Sequence, residues 1–206
     1  MPTTPAHRAY GAAAIAGPLL LLASTIAFIT AGDGINDGVF GGTLSVWAAI
    51  ALGIALVGIL RRLEPLAPRA AGILTLTAIA GVAGGTAFSV GAIYLPVYDL
   101  GPDAPFDAVE GADAIAAFAF LPWGWLIPFT LTLTGLLCWR TGALPRRQAA
   151  LMIAGGVLFV AGRPARIEPV AVVTDLVLVA ALAPIGWAML RPAATLPQPA
   201  AAPVAR

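Results

Sequence analysis

A chain of 206 residues with 60% hydrophobic and only 10% charged side chains lies outside the soluble globular range of roughly 45–50% apolar and about 25% charged. A net charge of +1, with no basic cluster interleaved with aromatics, excludes a nucleic-acid surface. Cys138 is the only cysteine, so neither an internal disulfide nor a cysteine metal site can form.

The bilayer is the solvent that such a composition requires. Uncharged apolar runs of about twenty residues recur, and at 1.5 Å per residue each crosses the ~30 Å hydrocarbon core. None of them shows the ten-residue alternation of a barrel strand, and their Ala and Leu content favours helices. All eleven basic residues are arginine, and Ala, Gly and Pro are abundant, a usage like that of GC-rich bacteria and their plasma membranes. The expected fold is therefore all-α: an integral membrane bundle of about six transmembrane helices forming one domain over residues 1–191. An Ala- and Pro-rich tail over 192–206 follows, too poor in apolar residues to pack.

The first helix is expected at 10–30. Arg8 precedes its apolar run, but the run is longer than a signal-peptide core and lacks a small-x-small cleavage site, so it reads as an anchor. The loop after it, Gly32-Asp33-Gly34-Ile35-Asn36-Asp37-Gly38, resembles the hinge signature of P-type ATPases, whose Asp-Lys-Thr-Gly phosphorylation motif is absent. It also fails as an EF-hand loop, because Ile35 takes a ligand position and Leu44 stands where the bidentate glutamate belongs. A Gly- and Asn-rich turn is the simpler reading.

Helices at 43–60 and 70–94 follow, joined by a short turn holding Arg61, Arg62 and Pro68-Arg69. Gly81, Gly85 and Ser89 recur at every fourth position and predict a groove for a close neighbour. The next loop is acidic, with Asp99, Asp103, Asp107, Glu110 and Asp113. The last three recur at intervals of three, which would suit a hard cation, but an acidic outer loop is the ordinary complement of arginine-rich inner turns, and no metal is expected. A fourth helix at 114–139 should kink at Pro122 and Pro128 around Trp123-Gly124-Trp125. Those tryptophans either line a cavity for an apolar ligand or anchor the helix at the interface.

A turn with Arg140 and Pro145-Arg146-Arg147 leads into a helix at 146–162, and the last helix is expected at 169–190. The two Pro-Arg turns align without gaps, Gly58 to Arg69 with Gly135 to Arg146, as a duplicated hairpin would. With six crossings Arg8, Arg61, Arg62, Arg69, Arg140, Arg146, Arg147, Arg191 and Arg206 share one side. By the positive-inside rule that side, with both termini, is cytoplasmic. Arg163 and Arg166 are the exceptions, outside between helices five and six.

Asp175 is the sharpest feature, because it lies about six residues inside the last helix. A carboxylate at that depth costs a few kcal/mol or more unless paired or hydrated. Arg163 and Arg166 are its candidate partners, with the Thr174 hydroxyl adjacent. Either the pair is structural, or Asp175 exchanges a proton or binds a cation in a secondary transporter or channel-like protein.

Absences narrow the chemistry. His7 is the only histidine and stands near the N-terminus, which excludes a bis-histidine haem and a His-Glu-x-x-His zinc hydrolase. There is neither a P-loop nor a Gly-x-Ser-x-Gly elbow. The chain is thus expected to be no enzyme and to carry no cofactor. Its partners are the lipid bilayer and, in an accessory role, an unidentified membrane protein.

The short arginine-bearing turns, the Leu144-Pro145-Arg146 step and the Gly-rich third helix together resemble the uncharacterised small multi-pass membrane proteins common in actinobacteria. That resemblance implies a plasma-membrane bundle and carries no residue role. The residues themselves lead to the expectation of a non-enzymatic accessory or small-ligand-handling bundle. Asp175, Arg163, Arg166, Thr174, Trp123 and Trp125 are its candidate binding residues.

Overall fold

Thr4 caps the first helix, its side-chain oxygen accepting from the His7 backbone N–H at 3.3 Å. Pro5 fills the first helical position, where a missing N–H leaves nothing unpaired. The helix thus starts before residue 10: the apolar run marks only what lipid can cover, while the capped backbone continues into the polar flank. In the computed structural model, which describes residues 4–100 and 123–191, the helices are α1 (Pro5–Ala31), α2 (Val39–Leu63), α3 (Pro68–Val97), α4 (Leu126–Thr141), α5 (Arg146–Gly162) and α6 (Glu168–Leu190). All regular structure among the described residues is helical. Asp103, Asp107, Glu110, Asp113, Pro122, the expected start of the fourth helix and the tail 192–206 lie outside them.

Prolines mark several of the helix starts. Trp125 is the residue preceding α4, which places Pro128 in the first turn, where its absent N–H would have had no partner in any case. Trp123 and Gly124 are themselves helical and Trp125 is a turn, so the helix is interrupted within the Trp123-Gly124-Trp125 segment, with Pro128 in the first turn of α4. Pro145 stands just outside α5 as its cap, whereas Pro68 is a true first-turn proline of α3. The two Pro-Arg turns also close differently, one through Gly142 in the left-handed region (φ 69°) and the other through Glu64 in ordinary helical conformation.

Each helix packs on its chain neighbour, and α6 returns against α1, so the bundle closes as a ring in chain order. Neighbours run antiparallel. Gly11 near the start of α1 meets Gly186 near the end of α6, while Thr25 late in α1 meets Asp175 early in α6. Likewise Thr130 of α4 donates to Thr77 of α3 at 2.8 Å, and Gly84 of α3 meets the backbone of Trp123 and Gly124. One end of the ring holds His7, Arg61 and Arg62, with the Arg61 guanidinium 5.6 Å from the Tyr10 ring centre and Arg62 3.0 Å from His7.

Four helices, α1, α2, α3 and α6, are long and apolar enough to cross a membrane. Their outward faces carry exposed Ile26, Trp47, Ile54, Ile73, Leu76, Ile79, Val173 and Leu176, an apolar exterior that water would not tolerate at this extent. Lipid is as apolar as a leucine, so burial between helices yields little transfer energy there and close packing decides the assembly. Gly11 and Gly186 show this: a Cβ on either would press on the other's carbonyl oxygen, at 2.9 and 2.5 Å. The continuous core of Leu56, Leu60, Leu63, Met152, Leu182 and Met189 fills the half of the bundle toward the arginine-rich turns. The opposite half is packed differently and holds the polar groups.

Candidate functional site

The loop 32–38 closes that opposite end. Asn36 adopts the left-handed conformation (φ 67°) that a short polar side chain tolerates. The Asp33 N–H donates to the Asp37 carbonyl at 3.1 Å, and the Asp37 N–H to the Gly34 carbonyl at 3.0 Å. The turn reading of this sequence is what the backbone does. It drives Ile35 inward, 1% exposed, against Phe28, Ala92 and Ala171. It also sets the Asn36 side-chain amide to donate to the Arg163 carbonyl at 3.2 Å.

Arg163 follows the last residue of α5 and turns back into the bundle, 5% exposed, while Asp175 is fully buried on α6. Their closest approach is 3.2 Å, from Nη2 to Oδ2. The third member is Thr25 of α1. Arg163 Nη2 donates to the Thr25 hydroxyl oxygen at 2.6 Å, and that hydroxyl donates onward to Asp175 Oδ2 at 2.5 Å. The Leu21 carbonyl accepts from the same Nη2 at 3.4 Å, and the guanidinium lies 5.3 Å from the Phe159 ring centre. A buried pair survives desolvation only when its remaining donors and acceptors are met, and the threonine relay meets one on each partner. The cluster therefore ties α1, α5 and α6 together, where sequence reasoning expected a link between the last two helices alone.

The other expected members divide. Thr174 is buried but spends its hydroxyl on the Val170 carbonyl of its own helix at 2.7 Å, so it takes no part in holding the carboxylate. Arg166 lies in the left-handed region (φ 55°), and its charge reaches Asp37 in the loop 32–38. Trp123 is half-buried, its backbone against Gly84. Trp125, 44% exposed, borders a cavity. Sequence reasoning missed Thr25 altogether. The signal was there: Ser24-Thr25 is a polar pair inside the first apolar run, and a hydroxyl at that depth needs a partner.

Asp37, in the loop between α1 and α2, is perturbed electrostatically. Burial pushes its carboxyl above the ordinary 3.8, the Asp33 charge adds to the rise, and Arg166 opposes it.

A cavity of about 220 Å³ opens beside the cluster, between α1, α2, α3, the start of α4 and α5. It reaches from Asn36, Arg163 and Arg166 at the loop end down to Leu52 and Pro128. Phe28, Phe88, Trp125 and Phe159 supply aromatic wall, and Ser45 and Ser89, 2.9 Å apart, supply hydroxyls. Arg163 borders this space but Asp175 does not. Among the described residues the Nε of Arg163 is buried without a hydrogen-bond partner. Apolar walls with a few fixed polar groups are the usual make-up of a small-molecule site.

No protein-family model, curated protein or solved structure matches this chain. Whatever the site does is to be argued from its own atoms.

Proposed function

We propose that this chain is a six-span bacterial plasma-membrane protein, both termini cytoplasmic, that handles a small molecule inside its bundle in an accessory, non-enzymatic role. The observation that carries the reading is the cavity of about 220 Å³, walled by aromatic side chains and bordered by Arg163. An apolar cavity of roughly 150 Å³ is enough to take up benzene, so a substituted single ring is within the size of this one. The Arg163, Thr25 and Asp175 cluster stands behind it as a fastening that holds one wall, α5, against α1 and α6.

The arrangement of charge supports the orientation. Arg61, Arg62, Arg69, Arg140, Arg146, Arg147 and Arg191 belong to helix ends and turns on one side of an antiparallel ring, and Asp33, Asp37, Asp99 and Glu168 to the other. The transporter alternative, with Asp175 as proton or cation exchanger, requires water to reach the carboxylate. Its complete burial, with Thr25 and Arg163 on its oxygens, favours the fastening.

Quenching of Trp125 fluorescence by bromobenzene tests the reading. Saturable quenching is expected in the native protein and its loss in Trp125→Phe. Gly91 borders the cavity, and a Cβ there meets nothing within 4 Å, so Gly91→Leu should also abolish it. Gly72 of the same helix has equal room without bordering the cavity, and Gly72→Leu should quench normally. Quenching that never saturates, or that is identical in all four proteins, rejects a ligand-holding cavity.

A further inference from the structure

We infer that the seam where the ends of α2 and α6 flank the first turns of α1 binds anionic phospholipid headgroups through Arg61, Arg62 and Arg191. The inference rests on the membrane placement proposed above and is independent of the cavity. The first support is charge without compensation. Arg8, Arg61, Arg62, Arg69, Arg140, Arg146, Arg147 and Arg191 gather at this end of the ring, and all are exposed. Among the described residues they meet a single acidic side chain here, Glu64, and none of them is paired with a carboxylate. The flanking stretches 1–3 and 192–206 contain neither Asp nor Glu.

The packing of α1 concentrates part of that charge and fixes its direction. His7 and Tyr10 lie one turn apart on α1. Arg62 Nη2 donates to the neutral His7 Nε2 at 3.0 Å, and the Arg61 guanidinium stands 5.6 Å from the Tyr10 ring centre. A Cβ on Gly58 would press on the Tyr10 side chain at 2.5 Å, so α2 lies close against α1 at this level. On the other flank Gly11 meets Gly186 and Met189 of α6, whose last turn carries Trp187 with the Arg191 guanidinium 5.8 Å from its ring centre. A guanidinium held against a ring keeps its planar set of five N–H donors for other acceptors, and a phosphate takes them in pairs.

The surroundings select a lipid phosphate. Trp187 and Ile54, close below Arg191 and Arg61 on their helices, are exposed large apolar side chains. Acyl chains can lie against them while the phosphate meets the arginines, at the depth where tryptophan marks the membrane interface. A choline headgroup would bring its own cation to the same arginines, so the site favours a lipid with net negative charge.

Native mass spectrometry of the detergent-purified protein with equal amounts of phosphatidylglycerol and phosphatidylcholine reads this directly. The native chain is expected to retain phosphatidylglycerol with about tenfold higher affinity. Arg61→Gln/Arg62→Gln/Arg191→Gln should lose that preference, while Arg140→Gln/Arg146→Gln/Arg147→Gln removes as much charge from the α4–α5 turn and should keep most of it. Equal retention of the two lipids by the native chain overturns the inference and leaves the membrane placement standing. Equal loss in both triple variants also overturns it, showing a diffuse field of charge in place of a site at the seam. Displacement of phosphatidylglycerol by glycerol 3-phosphate at comparable concentration would make this a site for soluble phosphates instead. Retention of neither lipid counts against the membrane placement itself. Should the first triple variant fold poorly, Arg61→Gln against Arg147→Gln makes the same comparison one charge at a time.

Discussion

Removing the Asp175 carboxylate would leave the Arg163 guanidinium buried among neutral groups, the Thr25 hydroxyl, the Leu21 carbonyl and the Phe159 ring. Breaking a buried pair from one side typically costs about 3–5 kcal/mol, whereas replacing both partners by apolar groups of similar volume is often neutral. Asp175→Leu is therefore expected to lower stability by about 3 kcal/mol, and Asp175→Leu/Arg163→Met to recover most of it, measured by equilibrium unfolding in mixed micelles. Thr25→Val keeps the shape but removes an acceptor and a donor at once, for a loss of about 1–3 kcal/mol, and Thr25→Ser should restore it. A cluster that tolerates Thr25→Val without loss is not held by the relay described. Asp37 makes a pH prediction of opposite sense to an ordinary salt-bridged carboxylate. Its pKa is raised above 3.8, chiefly by burial, so the folded state binds the proton more tightly than the unfolded chain. Its favourable contribution is complete below the unfolded value and is lost as pH rises through the folded one. Stability should fall over that interval, and Asp37→Asn should flatten the decline.

At the scale of the helices, small residues matter by what faces them. Gly81, Gly85 and Ser89 were legible as a stripe, and a neighbour does approach it: a Cβ on Gly81 would lie 2.9 Å from the Ile127 nitrogen. Gly84, off that stripe, is the tighter contact, since a Cβ there would overlap the Trp123 carbonyl and press on the Gly124 nitrogen at 2.5 Å. Backbone cannot step aside as a side chain can. Gly84→Ala should therefore destabilise the bundle by more than about 1 kcal/mol, while Gly72→Ala, facing open space, should be neutral or stabilising by up to ~1 kcal/mol through helix propensity. Thermal unfolding of the two variants side by side checks this, and equal behaviour would contradict the close packing of α3 on α4.

For the molecule as a whole, the orientation predicts a labelling pattern. Cys138 is buried and is the only cysteine, so Cys138→Ser provides a background for single introduced cysteines. A membrane-impermeant maleimide applied to intact cells should label Asp33→Cys and Glu168→Cys, and leave Arg69→Cys and Arg147→Cys untouched until the membrane is opened. The reverse pattern overturns the orientation, and labelling that separates Arg69→Cys from Arg147→Cys overturns the count of crossings.

Apolar run length, arginine placement and one deep carboxylate were enough to read helical elements, lipid as solvent, and Asp175 with Arg163 as the polar centre. These are properties of local composition and of the cost of an unpaired charge, and any chain with this sequence must satisfy them. Thr25 as relay, Thr174 turned to its own helix and Asn36 holding the Arg163 carbonyl were decided by the tertiary structure alone. So were the cavity beside the cluster and the different closures of the two Pro-Arg turns. Each depends on which helix faces lie opposite one another. Pairing across 138 residues, as between Thr25 and Arg163, leaves no periodic trace in a sequence whose helices are apolar on every side.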